Sequence, residues 1–254
     1  MQIHIAHKSI IGTREEQQDA YYAVASGDMA FAVVCDGMGG TSGGSAASRT
    51  AVAVMKDLLR SKDQAEPFPD FFLRAVDLLD ESVVELQGQT EASFSGTTIV
   101  AAAVARGRLY WMSVGDSRLY IIRGKEIVQA TRDHNFALSL KQWSAKEIET
   151  AKLSPGNHRT DALISFIGIG GVKIYDLNEM AFILQPGDKI LLTTDGLTKA
   201  LGDGEILALL SSDQLAADLA SLLKQATEKS QGAQDNTTCV LMRVSDGGKQ
   251  SAEE

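Results

Sequence analysis

Short runs of apolar residues recur along the chain and are typical of β-strands. The first ten residues alternate between apolar and polar side chains, which predicts an N-terminal strand. Gly107 and Gly124 each separate two such runs and predict tight turns between paired strands. The other strand-like runs are Met29–Cys35, Thr97–Val104, Arg108–Val114, Arg118–Ile122, Glu179–Leu184, Lys189–Thr193 and Thr237–Val244.

Three longer segments carry apolar residues at steps of three and four, which predicts amphipathic helices. They are Ser45–Arg60, Pro69–Gln87 and Asp213–Lys229. A weaker helical segment, Ser144–Lys152, opens with a capping-box pattern. The order of these elements, with blocks of strands between the helices, favours an α+β fold in which helices pack outside antiparallel sheets. The pattern leaves the strand order open.

The composition is that of an ordinary globular protein, and the net charge limits the classes of partner that the protein can be expected to bind. The chain has 254 residues, 44% of them hydrophobic and 22% charged, with a net charge of -9. This charge does not favour nucleic acid or an anionic membrane, and no apolar run approaches the roughly 20 residues that span a bilayer. Cys35 and Cys239 lie in strand-like runs, which favours buried reduced thiols. Since the N-terminus also lacks a signal-peptide profile, a cytoplasmic protein is expected.

Five aspartates stand at the predicted edges of strands. The apolar run that ends at Cys35 leads into Asp36, and the run that begins at Lys189 leads into Asp195. A single Asp-Gly pair is usually a turn, but repetition at strand ends indicates that the carboxylates converge in space. The five are Asp19, Asp36, Asp116, Asp195 and Asp235.

Converging carboxylates repel one another unless a cation lies between them. Oxygen ligands select Mg²⁺ or Mn²⁺ rather than Zn²⁺, and two such ions about 3.5–4 Å apart can bind a phosphate and activate a water. Gly37, next to Asp36, would let backbone and water approach the ions. The glycines from Gly39 to Gly44 are either a flexible connector or a phosphate cradle, although the Lys-Ser/Thr ending of a nucleotide-binding loop is missing.

Seven short motifs connect these residues from about Gly12 to Val244. They are Gly12-Thr13-Arg14-Glu15-Glu16-Gln17-Gln18-Asp19, Asp36-Gly37-Met38-Gly39-Gly40, Ser95-Gly96-Thr97-Thr98, Val114-Gly115-Asp116-Ser117-Arg118, Asp133-His134, Thr194-Asp195-Gly196-Leu197 and Asp235-Asn236-Thr237-Thr238. In this order and spacing they resemble the PPM family of metal-dependent, type-2C-like serine/threonine protein phosphatases. The chain looks like the minimal bacterial single-domain form.

The resemblance implies a four-layer α/β/β/α sandwich, in which helices flank two central antiparallel sheets and the metal site lies at one end. It implies one phosphatase domain over residues 1–244, with a flap at about 135–161 beside the site. A flexible tail would follow over residues 245–254. A monomer is expected.

The resemblance also assigns the metal ligands. Asp36 would bridge two ions, and Gly37 would bind one of them through its backbone carbonyl. Asp195 and Asp235 would complete the binuclear centre, while Asp19 would hold metal-bound waters from the second coordination shell.

The remaining assignments concern substrate and reaction. Arg14 would bind the substrate phosphate through its guanidinium, and Asp116 would help bind a weaker third ion. The implied reaction is hydrolysis of phosphoserine and phosphothreonine in proteins by attack of a metal-bridging water, with two Mn²⁺ or Mg²⁺ ions as cofactors. The implied partners are phosphoprotein substrates and a cognate bacterial Ser/Thr kinase.

Four positions depart from the family pattern. Gln17 replaces an asparagine, with a small expected effect. Met38 stands where eukaryotic members carry a histidine proposed as general acid, and methionine has no proton to donate. Lys199 stands where some members carry an acidic ligand, which predicts a weak third metal site. The segment Ile164–Gly168 lacks the usual Thr-Arg, with no assigned consequence.

Two other functions are weighed against this reaction. A non-catalytic family member would bind phosphoproteins without hydrolysing them, but such members usually lose metal-ligating aspartates. A metal-dependent nuclease is disfavoured by the acidic surface and the lack of a basic patch. His134, next to Asp133, is interpreted as structural or solvent-facing, and His158 as a solvated loop residue.

Overall fold

In the computed structural model, residues 1–39, 42–87, 95–140 and 160–246 of the chain are described. The strands are β1 (Gln2–Ile10), β2 (Asp19–Ser26), β3 (Met29–Gly39), β4 (Ser95–Thr97), β5 (Ile99–Ala105), β6 (Arg108–Val114), β7 (Arg118–Arg123), β8 (Glu126–Gln129), β9 (Asp176–Leu177), β10 (Phe182–Ile183), β11 (Lys189–Thr193) and β12 (Thr237–Ser245). The helices are α1 (Gly43–Ser61), α2 (Phe68–Gln87), α3 (Phe136–Leu140), α4 (Asp195–Thr198), α5 (Asp203–Leu209) and α6 (Leu215–Lys229).

The strands form two sheets in which neighbours run antiparallel. A five-stranded sheet has the order β1-β12-β11-β7-β8. A seven-stranded sheet has the order β10-β6-β5-β3-β2, with β4 paired to β3 and β9 paired to β6. The first and last strands of the chain are neighbours, with Gln2 opposite Ser245 and Ile10 opposite Thr237, so both termini of the fold are held in one sheet.

Alternating side chains of β3 build two different cores, because successive residues of a strand point to opposite faces. Phe31, Val33 and Cys35 pack with residues of α1 and α2 on the outer face of the seven-stranded sheet. Ala32 and Val34 pack between the sheets with residues of β11 and β12. A third core joins the other face of the five-stranded sheet to α4, α5 and α6. The layers are helix, sheet, sheet and helix, which confirms the predicted α+β sandwich.

Most predicted strands and helices are present, with shifted ends. The run Met29–Cys35 continues as β3 to Gly39, so the prediction that a buried strand ends at Asp36 is wrong. The single strand predicted at Thr97–Val104 is divided at Thr98 into β4 and β5. The run Glu179–Leu184 contributes only the two residues of β10.

The pattern missed six elements of the described chain. Five of them have only two to seven residues, too few to establish a period: β8, α3, β9, α4 and α5. The sixth, β2, has mostly half-buried side chains and therefore no clear alternation.

Two predicted segments fall largely outside the described residues. The helix at Ser144–Lys152 and most of the flap lie in residues 141–159, and all but the start of the tail lies in residues 247–254. Strand β12 includes Ser245, one residue of the expected tail. The division of the chain at residue 244 stays a prediction. None of the described helices has the length and apolar character needed to cross a lipid bilayer.

Candidate active site

Asp36 lies inside β3, at the point where this strand changes partner. The strand pairs with β5 as far as Val34 and with β4 from Gly37 onward. Thr98, between β4 and β5, donates its backbone N–H to the Asp36 carbonyl (2.9 Å), and its hydroxyl accepts the Asp36 N–H (3.1 Å). The Thr97 hydroxyl donates to the same carbonyl (2.9 Å). Both the N–H and the carbonyl of Asp36 are thus held by hydrogen bonds.

Asp19 is the direct neighbour of Asp36 on the adjacent strand β2. The Oδ2 atom of Asp19 accepts a hydrogen bond from the hydroxyl of Thr194 (3.0 Å), which follows β11 in the other sheet. The Thr194 hydroxyl accepts in turn from the Thr238 backbone N–H of β12 (2.9 Å). The two sheets are therefore joined at this end through Asp19.

Asp195 and Asp235 come from two segments whose backbones lie in close contact. Asp195 is the first residue of α4, two residues after the end of β11, and Asp235 lies two residues before the start of β12. A Cβ placed on Gly196 would lie 2.1 Å from the Asn236 carbonyl oxygen, which leaves no room for a side chain. Gln234 donates from Nε2 to the Gly196 carbonyl (2.9 Å) and secures this approach.

Gly37 is in equally close contact with the start of α1. A Cβ at Gly37 would lie 2.1 Å from the Gly44 carbonyl oxygen and 2.6 Å from that of Gln18. The Gly37 N–H also donates to the Gln18 carbonyl (3.1 Å). Glycine is needed here because three backbone segments meet, and this is the reason for the Asp-Gly pair at the end of the apolar run.

Arg14 lies on a loop that is fastened to the segment around Asp235. Thr13 donates its N–H to the Gln234 carbonyl (2.8 Å). Asn236 accepts from the Gln18 N–H and donates to the Ile11 carbonyl, both at 2.8 Å. The Arg14 side chain is 59% exposed, and its Nη2 lies 2.8 Å from Oδ2 of Asp235. Its ion pair is therefore with a site aspartate and not with its neighbours Glu15 and Glu16.

Asp116 lies in the connection between β6 and β7, which His134 holds in place. His134 donates its backbone N–H to the Gly115 carbonyl (2.9 Å), and its Nδ1 accepts the Gly115 N–H (3.1 Å). The His134 side chain is fully buried, with Nε2 at 3.5 Å from Oδ1 of Asp176. Because Nδ1 acts as acceptor, the proton of a neutral ring is on Nε2. Of the two interpretations of His134, the structural one holds.

Burial and repulsion between carboxylates raise the pKa values of three of these aspartates. For Asp36, burial is the largest cause, and repulsion by Asp195, Asp19, Asp116 and Asp235 adds to it, so its pKa lies well above the ordinary value. Burial, with added repulsion by nearby carboxylates, raises the pKa of Asp19 and of Asp116 to about 7 each. The structure thus brings the four other predicted aspartates within electrostatic reach of Asp36.

One cationic side chain enters the cluster from α4. Lys199 places Nζ 2.5 Å from Oδ2 of Asp195 and 3.6 Å from Oδ2 of Asp235. Burial would lower the pKa of Lys199, but attraction to Asp195, Asp235 and Asp36 outweighs it and raises the pKa. The sequence pattern located Lys199 but did not indicate these two contacts.

The donor chemistry of the cluster fits divalent cations. Oδ1 of Asp19 and Oδ1 of Asp195 are buried without a hydrogen-bond partner among the described residues, a costly state that a bound cation would relieve. Carboxylate oxygens suit Mg²⁺ or Mn²⁺. No three Asp, Glu, His or Cys side chains of the described residues lie close enough together to share one ion. A cation bound among these carboxylates would offset their mutual repulsion.

Several residues of the site had no predicted role. Thr98, Thr194 and Asn236 fix the backbone around the aspartates, and they were seen only as members of motifs. Phe166, in the segment that lacks the family arginine, lies over Gly96, where an added Cβ would be 2.8 Å from its ring. Ser165 is buried and donates its hydroxyl to the Ile174 carbonyl (2.6 Å). This segment therefore packs against β4, which is paired with β3 beyond Asp36.

Comparison with known proteins places this arrangement in a family. Residues 8–242 match the family described as protein phosphatase 2C. The serine/threonine phosphatase stp of Listeria innocua is 29% identical over 216 residues, which cover 83% of this chain and 82% of that protein.

Two solved structures have the same fold. The S. agalactiae serine/threonine phosphatase has a TM-score of 0.81 at 26% identity, with 95% of this chain and 99% of that chain covered. The catalytic domain of the serine/threonine protein phosphatase PstP, in complex with two manganese ions, has a TM-score of 0.78 at 26% identity, with 96% and 99% covered. Since the family match spans nearly the whole chain and agrees with its motifs and fold, the chain belongs to the protein phosphatase 2C family.

Proposed function

We propose that this chain hydrolyses phosphoserine and phosphothreonine in proteins and uses two divalent cations to do so. The observation that carries the proposal is the cluster of five aspartates from both sheets at one end of the sandwich, where Asp19, Asp116, Asp195 and Asp235 all repel the charge of Asp36. Relatives over most of the chain are named serine/threonine phosphatases, and one solved relative is in complex with two manganese ions.

The metal ligands in this proposal are Asp36, Asp195, Asp235 and the carbonyl of Gly37, with Asp19 holding waters of the ions. When bound, two Mn²⁺ or Mg²⁺ ions would lower the pKa of a water between them and neutralise charge on the phosphoryl oxygens. Asp36 has no ion pair with a cationic side chain among the described residues, so its charge is available for a cation.

Substrate binding falls to Arg14 in this proposal. Its guanidinium is largely exposed and already lies beside Asp235, so a short movement would carry it to a phosphate dianion held over the aspartates. A guanidinium suits this task because its planar fork can donate two parallel hydrogen bonds to phosphate oxygens. Met38, on β3 beyond Gly37, has no ionisable proton and cannot serve as an acid for the leaving oxygen.

The phosphoproteins would be products of a Ser/Thr kinase, whose action this chain would reverse. The phosphatase unit would be residues 1–244 acting as a monomer in the cytoplasm. Asp116 would contribute to a third, weaker cation site.

The test is hydrolysis of a phosphothreonine peptide by protein first treated with a chelator. Phosphate release is expected only after Mn²⁺ or Mg²⁺ is restored. If the folded protein binds the peptide but releases no phosphate at any divalent cation concentration, this proposal is wrong. The non-catalytic alternative, a regulator that binds phosphoproteins, would then replace it.

A further inference from the structure

Lys199 is placed against the aspartates by the geometry of α4. The helix begins at Asp195, and the Lys199 N–H donates to the Asp195 carbonyl (2.8 Å), which puts the two residues one turn apart. Side chains four residues apart on a helix are neighbours. The lysine is 55% exposed, whereas the side chain of Asp195 is only 16% exposed. The pair therefore joins a largely exposed ammonium group to a carboxylate with little exposure.

The two oxygens of Asp195 have different surroundings. Oδ2 is 2.5 Å from the lysine Nζ, while Oδ1 is buried and has no hydrogen-bond partner among the described residues. On the other side, Oδ2 of Asp235 lies 3.6 Å from the same Nζ and 2.8 Å from Arg14. Lys199 thus neutralises one oxygen of each of two carboxylates that the proposed function assigns to the metal ions.

We propose that Lys199 is a tethered counter-cation that competes with divalent cations for Asp195 and Asp235 and thereby sets the metal affinity of the site. The inference rests on the proposed function, because it concerns the same carboxylates. A divalent cation at these oxygens repels an ammonium group a few ångströms away. Binding must therefore displace the lysine towards solvent or proceed at the cost of this repulsion.

The partial exposure of Lys199 makes displacement possible. An ammonium group that leaves an ion pair for water recovers its hydration, so the lysine can be exchanged for an ion without refolding of α4. Without metal, the same lysine offsets the repulsion among buried carboxylates and stabilises the protein. Lys199 then raises the metal concentration at which the site fills.

The experiment is calorimetric titration of Mn²⁺ into chelator-treated wild-type protein and three variants. Lys199→Gln removes the charge and keeps most of the side-chain length, and it should tighten Mn²⁺ binding about tenfold. Lys199→Arg keeps the charge and should bind Mn²⁺ like the wild type. Lys229→Gln breaks a lysine–glutamate pair outside the cluster, that with Glu205, and should also leave the affinity unchanged.

Thermal unfolding supplies a second readout that needs no substrate. In chelator, Lys199→Gln should melt below the wild type, and the difference should close at saturating Mn²⁺, because ligand binding to the folded state adds stability according to its affinity. If Lys199→Gln binds Mn²⁺ as tightly as the wild type or more weakly, while the wild type binds Mn²⁺, the inference about Lys199 is wrong and the proposed function is unaffected. No Mn²⁺ binding by the wild type would overturn the metal centre of the proposed function together with it.

Discussion

At the scale of single residues, Asp36 is the aspartate on which the four other carboxylates act. Asp36→Asn is expected to lower phosphate release by a factor of at least about 100, because a neutral amide is a poor bridge between two cations. The same variant should melt at the same or a higher temperature in chelator, since one of five repelling charges is gone. Peptide hydrolysis and thermal unfolding of the same preparations measure the two effects.

Asp57→Asn is the matched control for this variant, because Asp57 is 74% exposed on α1 and, among the described residues, forms its ion pair with Arg60. It should leave both activity and melting temperature near those of the wild type. Near-normal turnover by Asp36→Asn would contradict the assignment of Asp36 as a metal ligand.

Arg14 tests the substrate side of the site. Arg14→Ala should raise KM for a phosphothreonine peptide about tenfold, with a smaller change in kcat, because a charged hydrogen bond to phosphate is lost. Arg60→Ala removes an arginine of similar exposure, with an ion pair at 3.2 Å, and should leave KM unchanged. Steady-state kinetics at saturating Mn²⁺ separates the two constants. An unchanged KM in Arg14→Ala would exclude the phosphate-binding role.

At the scale of elements, Gly37 is the residue at which β3 begins to pair with β4, and it lies against the start of α1. Gly37→Ala should destabilise the fold by about 3 kcal/mol, because its Cβ would overlap the Gly44 carbonyl and the backbone would have to move. Gly204→Ala, on α5, meets nothing within 4 Å and should be neutral or stabilising by up to about 1 kcal/mol. Urea unfolding of the two variants compares them directly. Equal stabilities would show that the close approach at Gly37 is not a constraint.

At the scale of the whole molecule, Asp176 ties the edges of the two sheets together. It lies on β9 of the seven-stranded sheet and accepts hydrogen bonds from the backbone and side chain of Arg132, which follows β8 of the five-stranded sheet. Burial alone would raise the pKa of Asp176, but contacts with His134 and Arg132 outweigh it and lower the pKa to about 2.

A depressed carboxyl pKa predicts how stability depends on pH. The contribution of Asp176, about 2 kcal/mol, should be fully present above the ordinary carboxyl pKa near 4 and should be lost as pH falls towards 2, because the unfolded chain takes up the proton first. Urea unfolding of the wild type and of Asp176→Asn should show a stability difference that shrinks below pH 4. A difference that stays constant from pH 7 to pH 3 would contradict the assignment.

The sequence predicted the elements whose patterns are long and repeated. Helices α1, α2 and α6 were located within two residues at each end, because each has an apolar face over four or more turns. The partner change within β3 was not predictable in the same way. Asp36 looks like the end of a strand in sequence because its side chain is polar, but the pairing of residues 37–39 with β4 shows that the strand continues.

The order of amino acids already shows which residues this protein offers for chemistry: five aspartates at the edges of apolar runs, glycines beside them and an arginine in the first motif. The surroundings of these residues follow only from the packing of the folded chain. Thr194 and Asp19 are 175 positions apart, yet their side chains are hydrogen-bonded. Likewise, Nζ of Lys199 lies 3.6 Å from Oδ2 of Asp235, although the two residues belong to separate segments of the chain. Periodicity records only which face of an element is apolar, whereas pKa values and ion pairs depend on distances through space, which are settled when the two sheets pack.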